Sequence, residues 1–383
     1  MSRFSRKTSN FIIPVCIGVF NLLLLLFPRD VLEAARQGLG LWFNNVLPSL
    51  TPFIIGTNVL VAMGAVGSLG RLLDRLMQPL FRLPGAGGFA LATGMLAGYP
   101  LGARSAATLT QSGHLTPRQA SRLAGFCNNS GPLFVVGAVG TGMFGSSGIG
   151  FFVLACHYLA SLGIGLAGAR LSIKAKEPAS IPLPKLKTPR KPFGQILGES
   201  VQSAMETIVV VGGFIILFCV IARILDILGL FEIKEWLLAP ILPEAMEIPL
   251  RGLAIGLIEI TNGAAALAEN PATPWNIATL AFVISFGGFS IHAQSLSFLS
   301  KAGVPAMPYL LGKLCHGITA AILAFAGWQM GLAPEAAPAF LQQDAGALQT
   351  LGYSSSLFAV ALLAMFTAGA LLGRKTRRRQ RRW

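Results

Sequence analysis

The sequence predicts an all-α polytopic membrane protein built from two inverted-topology repeats, with about eight full spans and two re-entrant helical hairpins. Three observations predict this class. First, 53% of the 383 residues are hydrophobic and only 12% are charged, whereas soluble domains carry about 25% charged residues. Second, the excess of basic residues is confined to short segments. Third, apolar stretches are interrupted by glycine and proline at corresponding places in the two halves.

The net charge of +15 lies in three short segments. The N-terminus carries Arg3, Arg6 and Lys7, residues 171–192 hold six bases and one acid, and residues 374–383 hold seven bases and no acid. Because positive charge in short loops and termini stays on the cytoplasmic side, both termini and the linker are predicted to be cytoplasmic. A nucleic-acid arm is the alternative for the tail. Anionic lipid is the favoured partner, and no nucleic acid is expected.

Each half is predicted to contain a helix, a hairpin, an interrupted helix and a closing helix. In the first half, residues 11–27 and 46–66 span, 69–83 form an amphipathic inner-face helix, 86–107 form a hairpin entered from inside, and 120–144 and 148–169 span. In the second half, residues 207–228 span, 249–267 form a hairpin entered from outside, and 277–299, 307–328 and 357–372 span. Because each repeat has an odd number of full crossings, the second copy must be inverted.

This arrangement predicts six segments. They are an N-terminal membrane helix and connector (1–40), a first gate repeat (41–170), a basic cytoplasmic linker (171–192), a second inverted gate repeat (193–331), an external loop with the last membrane helix (332–373), and a basic cytoplasmic tail (374–383).

Four interruptions predict where a substrate binds. They lie at residues 98–102, 128–132, 256–263 and 286–290. Irregular backbone at membrane depth is tolerated only where it is buried in protein or lines a wet cavity. Paired broken segments are the best sequence-level indication of a transporter site. The alternative is that glycines only let helices pack closely, but four breaks in corresponding places favour a site.

Polar residues at the first pair of breaks suit an anion. Arg104 lies in the first hairpin, where an unpaired charge costs at least about 2.5–3.5 kcal/mol. Its side chain either reaches the inner interface or binds an anion. Asn128, Asn129 and Ser130 lie at the next break, where freed backbone N–H groups and a helix dipole form an anion site.

The second half offers polar residues at both of its breaks. They are Glu259, Thr261 and Asn262 in the hairpin, and Ser285, Ser290, His292 and Gln294 at the helix break. Glu259 is a partner for a cation, a proton or Arg104, whereas His292 is open to a simple hydrogen bond with a neighbouring helix. Four isolated polar residues on apolar runs are interpreted as structural or interfacial: His157, His316, Lys313 and Arg223.

The sequence carries no motif that indicates an enzyme. It has no His-Glu-x-x-His, Gly-x-Ser-x-Gly or Gly-x-x-x-x-Gly-Lys-Ser/Thr motif, so no hydrolase or nucleotide-driven pump is predicted. The five cysteines form no Cys-x-x-Cys pair, so neither a metal site nor a cofactor is expected. Active transport would therefore use an ion gradient or a partner.

Two stretches carry a family resemblance: residues 94–104 (GMLAGYPLGAR) and 126–142 (FCNNSGPLFVVGAVGTG), followed by His157-Tyr158-Leu159. They resemble the YlbJ (SpoVV) sporulation integral membrane protein family over nearly the whole chain. That family contains the nucleoside-transporter/FeoB gate domain, also called the nucleoside recognition domain. The resemblance implies a multipass protein of endospore-forming bacteria that is needed for spore cortex formation and carries dipicolinic acid across the outer forespore membrane.

Dipicolinate, a small planar dianion, suits the polar residues at the breaks. Arg104, Asn128, Asn129 and two helix N-termini would hold its carboxylates, and Tyr99, Phe126 or Phe286 would stack on its ring. Two other functions stay open, a transporter of nucleosides or other small metabolites and a non-transporting membrane scaffold for spore assembly. The sequence also leaves open a homo-oligomer.

Overall fold

Helices form the regular secondary structure of residues 3–63, 65–174, 191–231 and 247–334, which the computed structural model describes. In order they are α1 (Arg3–Leu26), α2 (Pro28–Leu41), a short π-helix (Trp42–Val46), α3 (Leu47–Ala62), α4 (Ala65–Phe81), α5 (Gly87–Ala97), α6 (Leu101–Gln111), α7 (Pro117–Cys127), a long π-helix (Leu133–Met143), α8 (Ser147–Lys174), α9 (Phe193–Ile227), α10 (Glu247–Ile258), α11 (Ile260–Ala268), α12 (Pro274–Phe286), α13 (Gly288–Lys301) and α14 (Ala306–Gln329).

The N-terminal connector is a helix of its own. Helices α1 and α2 meet at Phe27 with a bend of 101°. Pro28 disfavours helical backbone at the residue before it, and Phe27 accordingly leaves the helical region (φ −120°, ψ 52°). Helix α2 packs along α9, where Arg223 of α9 forms an ion pair with Asp30 at 2.6 Å. The packing of α2 along α9 therefore holds the bent N-terminal unit against the second half of the chain, with this exposed ion pair at its edge.

Four helical stretches of the described residues are long and apolar enough to cross a membrane, and a fifth is added if the bent α1–α2 pair is one span. The four are Ser147–Leu171, Phe193–Ile227, Pro274–Lys301 and Ala306–Gln329. The predicted spans 46–66 and 120–144 are shorter than expected, because α3 has 16 residues and the other span is split into two pieces of 11. A spanning helix needs about 20 residues. The predicted span 357–372 lies outside the described residues, so the count of eight stays a prediction.

The first hairpin and the first break form where the sequence places them. Helices α5 and α6 turn back on each other at Gly98, whose φ of 86° is a conformation that glycine adopts without steric cost. A Cβ at Gly98 would lie 2.8 Å from the backbone nitrogen of Gly131, so the turn of the hairpin packs directly on the break between α7 and the long π-helix. Residues 128–131 of that break have no regular structure.

The second pair of breaks is narrower than predicted. Helices α10 and α11 are separated by Glu259 alone, in extended conformation (φ −142°, ψ 122°). Helices α12 and α13 are separated by Gly287 alone (φ 98°), so the interruption predicted over 286–290 is largely helical. Gly288, the first residue of α13, also has a positive φ of 68°, so two consecutive glycines with left-handed backbone change the direction of the helix.

Helix α14 is central to the part of the chain that the structure describes. It packs against α7 and α8 of the first half and against α12 and α13 of the second. One hydrophobic core lies around α5–α7 with Phe89, Leu123 and Phe126, and another lies between α8, α12 and α14 with Val153 and Leu280. Side chains on the inner face of α14 therefore meet both halves.

Candidate functional site

A buried lysine lies at the junction of the two halves. Lys313, in the middle of α14, is fully buried. Its Nζ donates to the hydroxyl of Tyr99 at 2.8 Å and to the backbone carbonyl of Asn128 at 2.8 Å, and lies 3.0 Å from Nδ1 of His316. Tyr99 belongs to the turn of the first hairpin and Asn128 to the first break. His316 is on the same face of α14, three residues on. One amino group therefore connects three elements.

Tyr99 extends this junction to the second half. Its hydroxyl lies 3.0 Å from the backbone carbonyl of Ile284 and 3.2 Å from that of Ser285, at the end of α12. The Tyr99 ring also lies under Lys313, with Nζ 5.0 Å from the ring centroid, which adds a cation–π interaction. The first hairpin thus contacts the backbone beside the second helix break.

Two stacked histidines connect the same breaks from the other side. His157 of α8 accepts a hydrogen bond at Nε2 from the backbone N–H of Ser130 at 3.1 Å, and its Nδ1 lies 2.7 Å from Oγ of Ser285. Its ring stacks on His316, with centroids 4.7 Å apart. His316 in turn places Nε2 2.9 Å from the backbone carbonyl of His157. The Ser130 N–H that the sequence offered to an anion is therefore occupied.

The Asn128 side chain connects the first break to the first hairpin and to the second half of the chain. Its Oδ1 accepts from the backbone N–H of Ala103 at 3.2 Å, and its Nδ2 donates to Ser295 Oγ at 2.8 Å and to the Tyr309 hydroxyl at 3.3 Å. The Tyr309 hydroxyl also lies 3.0 Å from Nδ1 of His292. The polar residues at the first and second helix breaks thus form one buried network.

The other predicted residues lie outside this network. Arg104 is half-buried and donates to Asn58 of α3 at 3.2 Å and to Ser203 of α9 at 2.9 Å. Glu259 does not pair with Arg104; its Oε2 accepts from the backbone N–H of Asn262 at 2.8 Å and caps α11. Thr261 lies in the same first turn.

Four further predicted residues have partners of their own: Gln294 donates to Ser290 at 3.2 Å, Asn129 donates to Ser161 at 3.1 Å, Phe126 stacks on Phe81, and Phe286 packs against Phe282 and His292.

Two buried polar atoms near the breaks have no hydrogen-bond partner among the residues that the structure describes. They are Oδ1 of Asn129 and Nε2 of His292. Buried polar atoms are usually paired, and each exception needs a reason. Both residues were predicted to bind substrate, and these atoms are free to receive a ligand donor or acceptor.

Lys313, His157 and His316, which the sequence analysis interpreted as isolated structural or interfacial residues, are not isolated, because the three share the central network. Two signals were available. A lysine within a long apolar helix is a functional candidate by default. The dipeptide Cys-His also occurs twice, with His157 ten residues after the start of α8 and His316 ten residues after the start of α14.

The Glu259 cap gives a test of its role. Glu259→Ala is expected to lower stability by about 1 kcal/mol, since it removes the acceptor for the Asn262 N–H. Glu259→Gln keeps an oxygen at that place and is expected to melt and transport like the wild type. Thermal unfolding in detergent and uptake into proteoliposomes measure the two effects. A glutamine variant that melts normally but no longer transports would instead assign Glu259 the proton or cation role that the sequence suggested.

Comparisons with known proteins support an integral membrane protein. A family model described as "Gate: Nucleoside recognition" matches residues 43–147, which include the first hairpin and the first break. The chain is 36% identical over 323 residues to the sporulation integral membrane protein YlbJ of Bacillus subtilis (strain 168), covering 79% of this chain and 78% of the relative. No solved structure matches the chain.

Proposed function

The chain belongs to the YlbJ family of sporulation integral membrane proteins, and on this premise we propose that it is a secondary transporter of a small organic anion. The buried ammonium group of Lys313 carries this proposal. Within the described residues it has no carboxylate ion-pair partner, and a buried charge without a counter-charge costs several kcal/mol. An anion that enters the junction of the two halves would supply the missing charge.

An inverted repeat accounts for the position of this junction. Each half holds a helical hairpin, an interrupted helix and a long closing helix in the same order. The closing helices α8 and α14 carry Cys-His at the same distance from their starts, and the two histidine rings stack on each other. Residues that correspond in sequence and meet face to face support a two-fold relation between the halves. In secondary transporters substrate binds at such a repeat interface.

The polar groups of the junction already satisfy one another, so substrate must replace some of these bonds. A carboxylate has acceptor oxygens only and is suited to replace Tyr99 or His316 at the Lys313 ammonium. Dipicolinate is the substrate we propose, because the family resemblance indicates it and its two carboxylates match a cationic site. We further propose the outer forespore membrane as the location, cytoplasmic termini, and no catalytic step.

A nucleoside is the second candidate, favoured by the description of the matching family model. It has no negative charge to offer Lys313, so the anion is preferred. A non-transporting scaffold is disfavoured, since its function would not require a buried cation at the junction of two interrupted helices.

Uptake into proteoliposomes tests these three functions. Labelled dipicolinate and labelled uridine are supplied separately to vesicles with and without protein, and unlabelled dipicolinate, benzoate and uridine serve as competitors. We expect protein-dependent uptake of labelled dipicolinate that unlabelled dipicolinate inhibits and uridine does not. Uptake of uridine alone would favour the nucleoside transporter, and uptake of neither compound would favour the scaffold.

A further inference from the structure

We propose that Lys313 is also the coupling site, where a proton binds together with the anion, so that the protein is a proton–anion symporter. This inference rests on the proposed function and names its driving ion. It follows from the hydrogen bonds of Lys313 and from the charges that surround it.

The three neighbours of the Lys313 amine all act as acceptors. The Tyr99 hydroxyl hydrogen points to the carbonyls of Ile284 and Ser285, so its oxygen accepts from Lys313. The Asn128 carbonyl can only accept. His316 places Nε2 against a carbonyl, so this nitrogen carries the hydrogen and Nδ1 accepts. Three acceptors match the three N–H groups of an ammonium ion, whereas a neutral amine leaves one acceptor without a donor.

His157 and His316 are bound in their neutral forms. His157 accepts a backbone N–H at Nε2, so this nitrogen has no hydrogen and Nδ1 donates to Ser285. A second proton on His157 would meet the N–H of Ser130. A second proton on His316 would meet the ammonium group of Lys313. Of Lys313, His157 and His316, Lys313 is therefore the group whose additional proton is accommodated by its neighbours.

No acid compensates this proton within the part of the chain that the structure describes. The titratable groups that bond or interact electrostatically with Lys313 are Tyr99 of the hairpin, Cys127 of α7, His157 of α8, His292 of α13 and His316 of α14 itself. Helix α12 has no titratable side chain. An ammonium ion buried among neutral groups is costly, and so is a carboxylate.

When both are bound, the charges of the proton and the anion compensate each other, and the free-energy cost of burying either charge alone is removed. Each therefore raises the affinity of the other by the same factor, as linkage requires. The loaded carrier holds both, and the empty carrier can return without either, which is the requirement for symport. The dianion with one proton keeps one negative charge, so transport would also respond to membrane potential.

Proton movement with labelled dipicolinate tests the coupling. Wild-type proteoliposomes with a pH-sensitive dye inside are placed in acidic medium, and we expect accumulation of label with about one proton entering per anion. Lys313→Arg keeps a fixed charge, so we expect label exchange to continue and gradient-driven accumulation to be lost. Lys313→Met should abolish both. Lys301→Met, at an exposed lysine at the end of α13, is the matched control and should behave like the wild type.

The wild type alone also decides the question if the variants do not fold. Carboxylates of ordinary pKa near 4 stay ionised above pH 6, so dipicolinate does not titrate between pH 6 and pH 10. In detergent, its dissociation constant is expected to rise about tenfold per pH unit where Lys313 loses its proton. A constant affinity over this range, or uptake without proton entry, would overturn the coupling and leave the anion carrier intact. Failure of dipicolinate uptake as such would overturn the proposed function.

Discussion

Gly94→Ala is expected to separate the first hairpin from the first break and to abolish transport. A Cβ at Gly94 would overlap the backbone carbonyl oxygen of Cys127 and would lie 3.0 Å from Cα of Gly102. Both obstacles are backbone atoms, which have no alternative rotamer to adopt. Overpacking costs about 1–3 kcal/mol and sometimes more, and we expect about 3 kcal/mol here. The displaced segment includes Asn128, whose carbonyl binds Lys313, so the junction would be lost with the packing.

Gly163→Ala is the matched control for this prediction. Gly163 lies inside α8, and nothing is within 4 Å of a Cβ built there. Alanine in a helix interior is favoured over glycine by about 0.5–1 kcal/mol, so this variant should be as stable as the wild type or more so. Thermal unfolding in detergent and dipicolinate uptake measure both variants. A Gly94→Ala protein that melts and transports like Gly163→Ala would show that the hairpin does not need this close approach.

The sequence was sufficient for the breaks because their chemistry is local. Gly98 and Pro100 lie close together within an apolar stretch, a combination that favours an interruption, and the structure confirms a hairpin there. Residues 128–132 likewise contain the amide side chains and the proline that end one helix and start the next. The second break was predicted too wide, because a Gly-Gly pair does not reveal that left-handed backbone at Gly287 and Gly288 alone changes the direction of the helix.

The partners of the site residues are a property of the fold, which no local pattern contains. Lys313 and Tyr99 are 214 positions apart, and only the packing of α14 on both halves brings them together. Arg104 illustrates the opposite case. The hairpin that contains Arg104 was predicted correctly, but the Arg104 side chain contacts α3 and α9, away from the junction. The repeated Cys-His dipeptide was the one sequence pattern that pointed to the missed histidines.

Asn128→Asp is expected to remove anion transport without unfolding the protein. The substitution replaces the side-chain NH2 group by an oxygen, and Ser295 and Tyr309 can turn their hydroxyls to donate to the new carboxylate. The carboxylate would stand on the residue whose backbone carbonyl accepts from Lys313 at 2.8 Å, where its negative charge would compete with the anion for the ammonium. Unit charges a few ångströms apart interact by roughly 4 kcal/mol at an effective dielectric constant of about 20. We therefore expect dipicolinate affinity to fall by about 100-fold or more.

Asn58→Asp makes the same change beside the half-buried cation Arg104. Asn58 Oδ1 accepts from Arg104 at 3.2 Å, so its aspartate would neutralise Arg104 and leave Lys313 untouched. If Lys313 attracts the anion, Asn128→Asp loses dipicolinate binding and Asn58→Asp retains it. If Arg104 binds the anion, as the sequence suggested, the two results exchange. Equilibrium binding of labelled dipicolinate to both purified variants separates these outcomes, because each variant adds one negative charge beside a different cation. Asn58→Asp also removes the donor to the Ser200 carbonyl, so thermal unfolding of both variants is measured alongside.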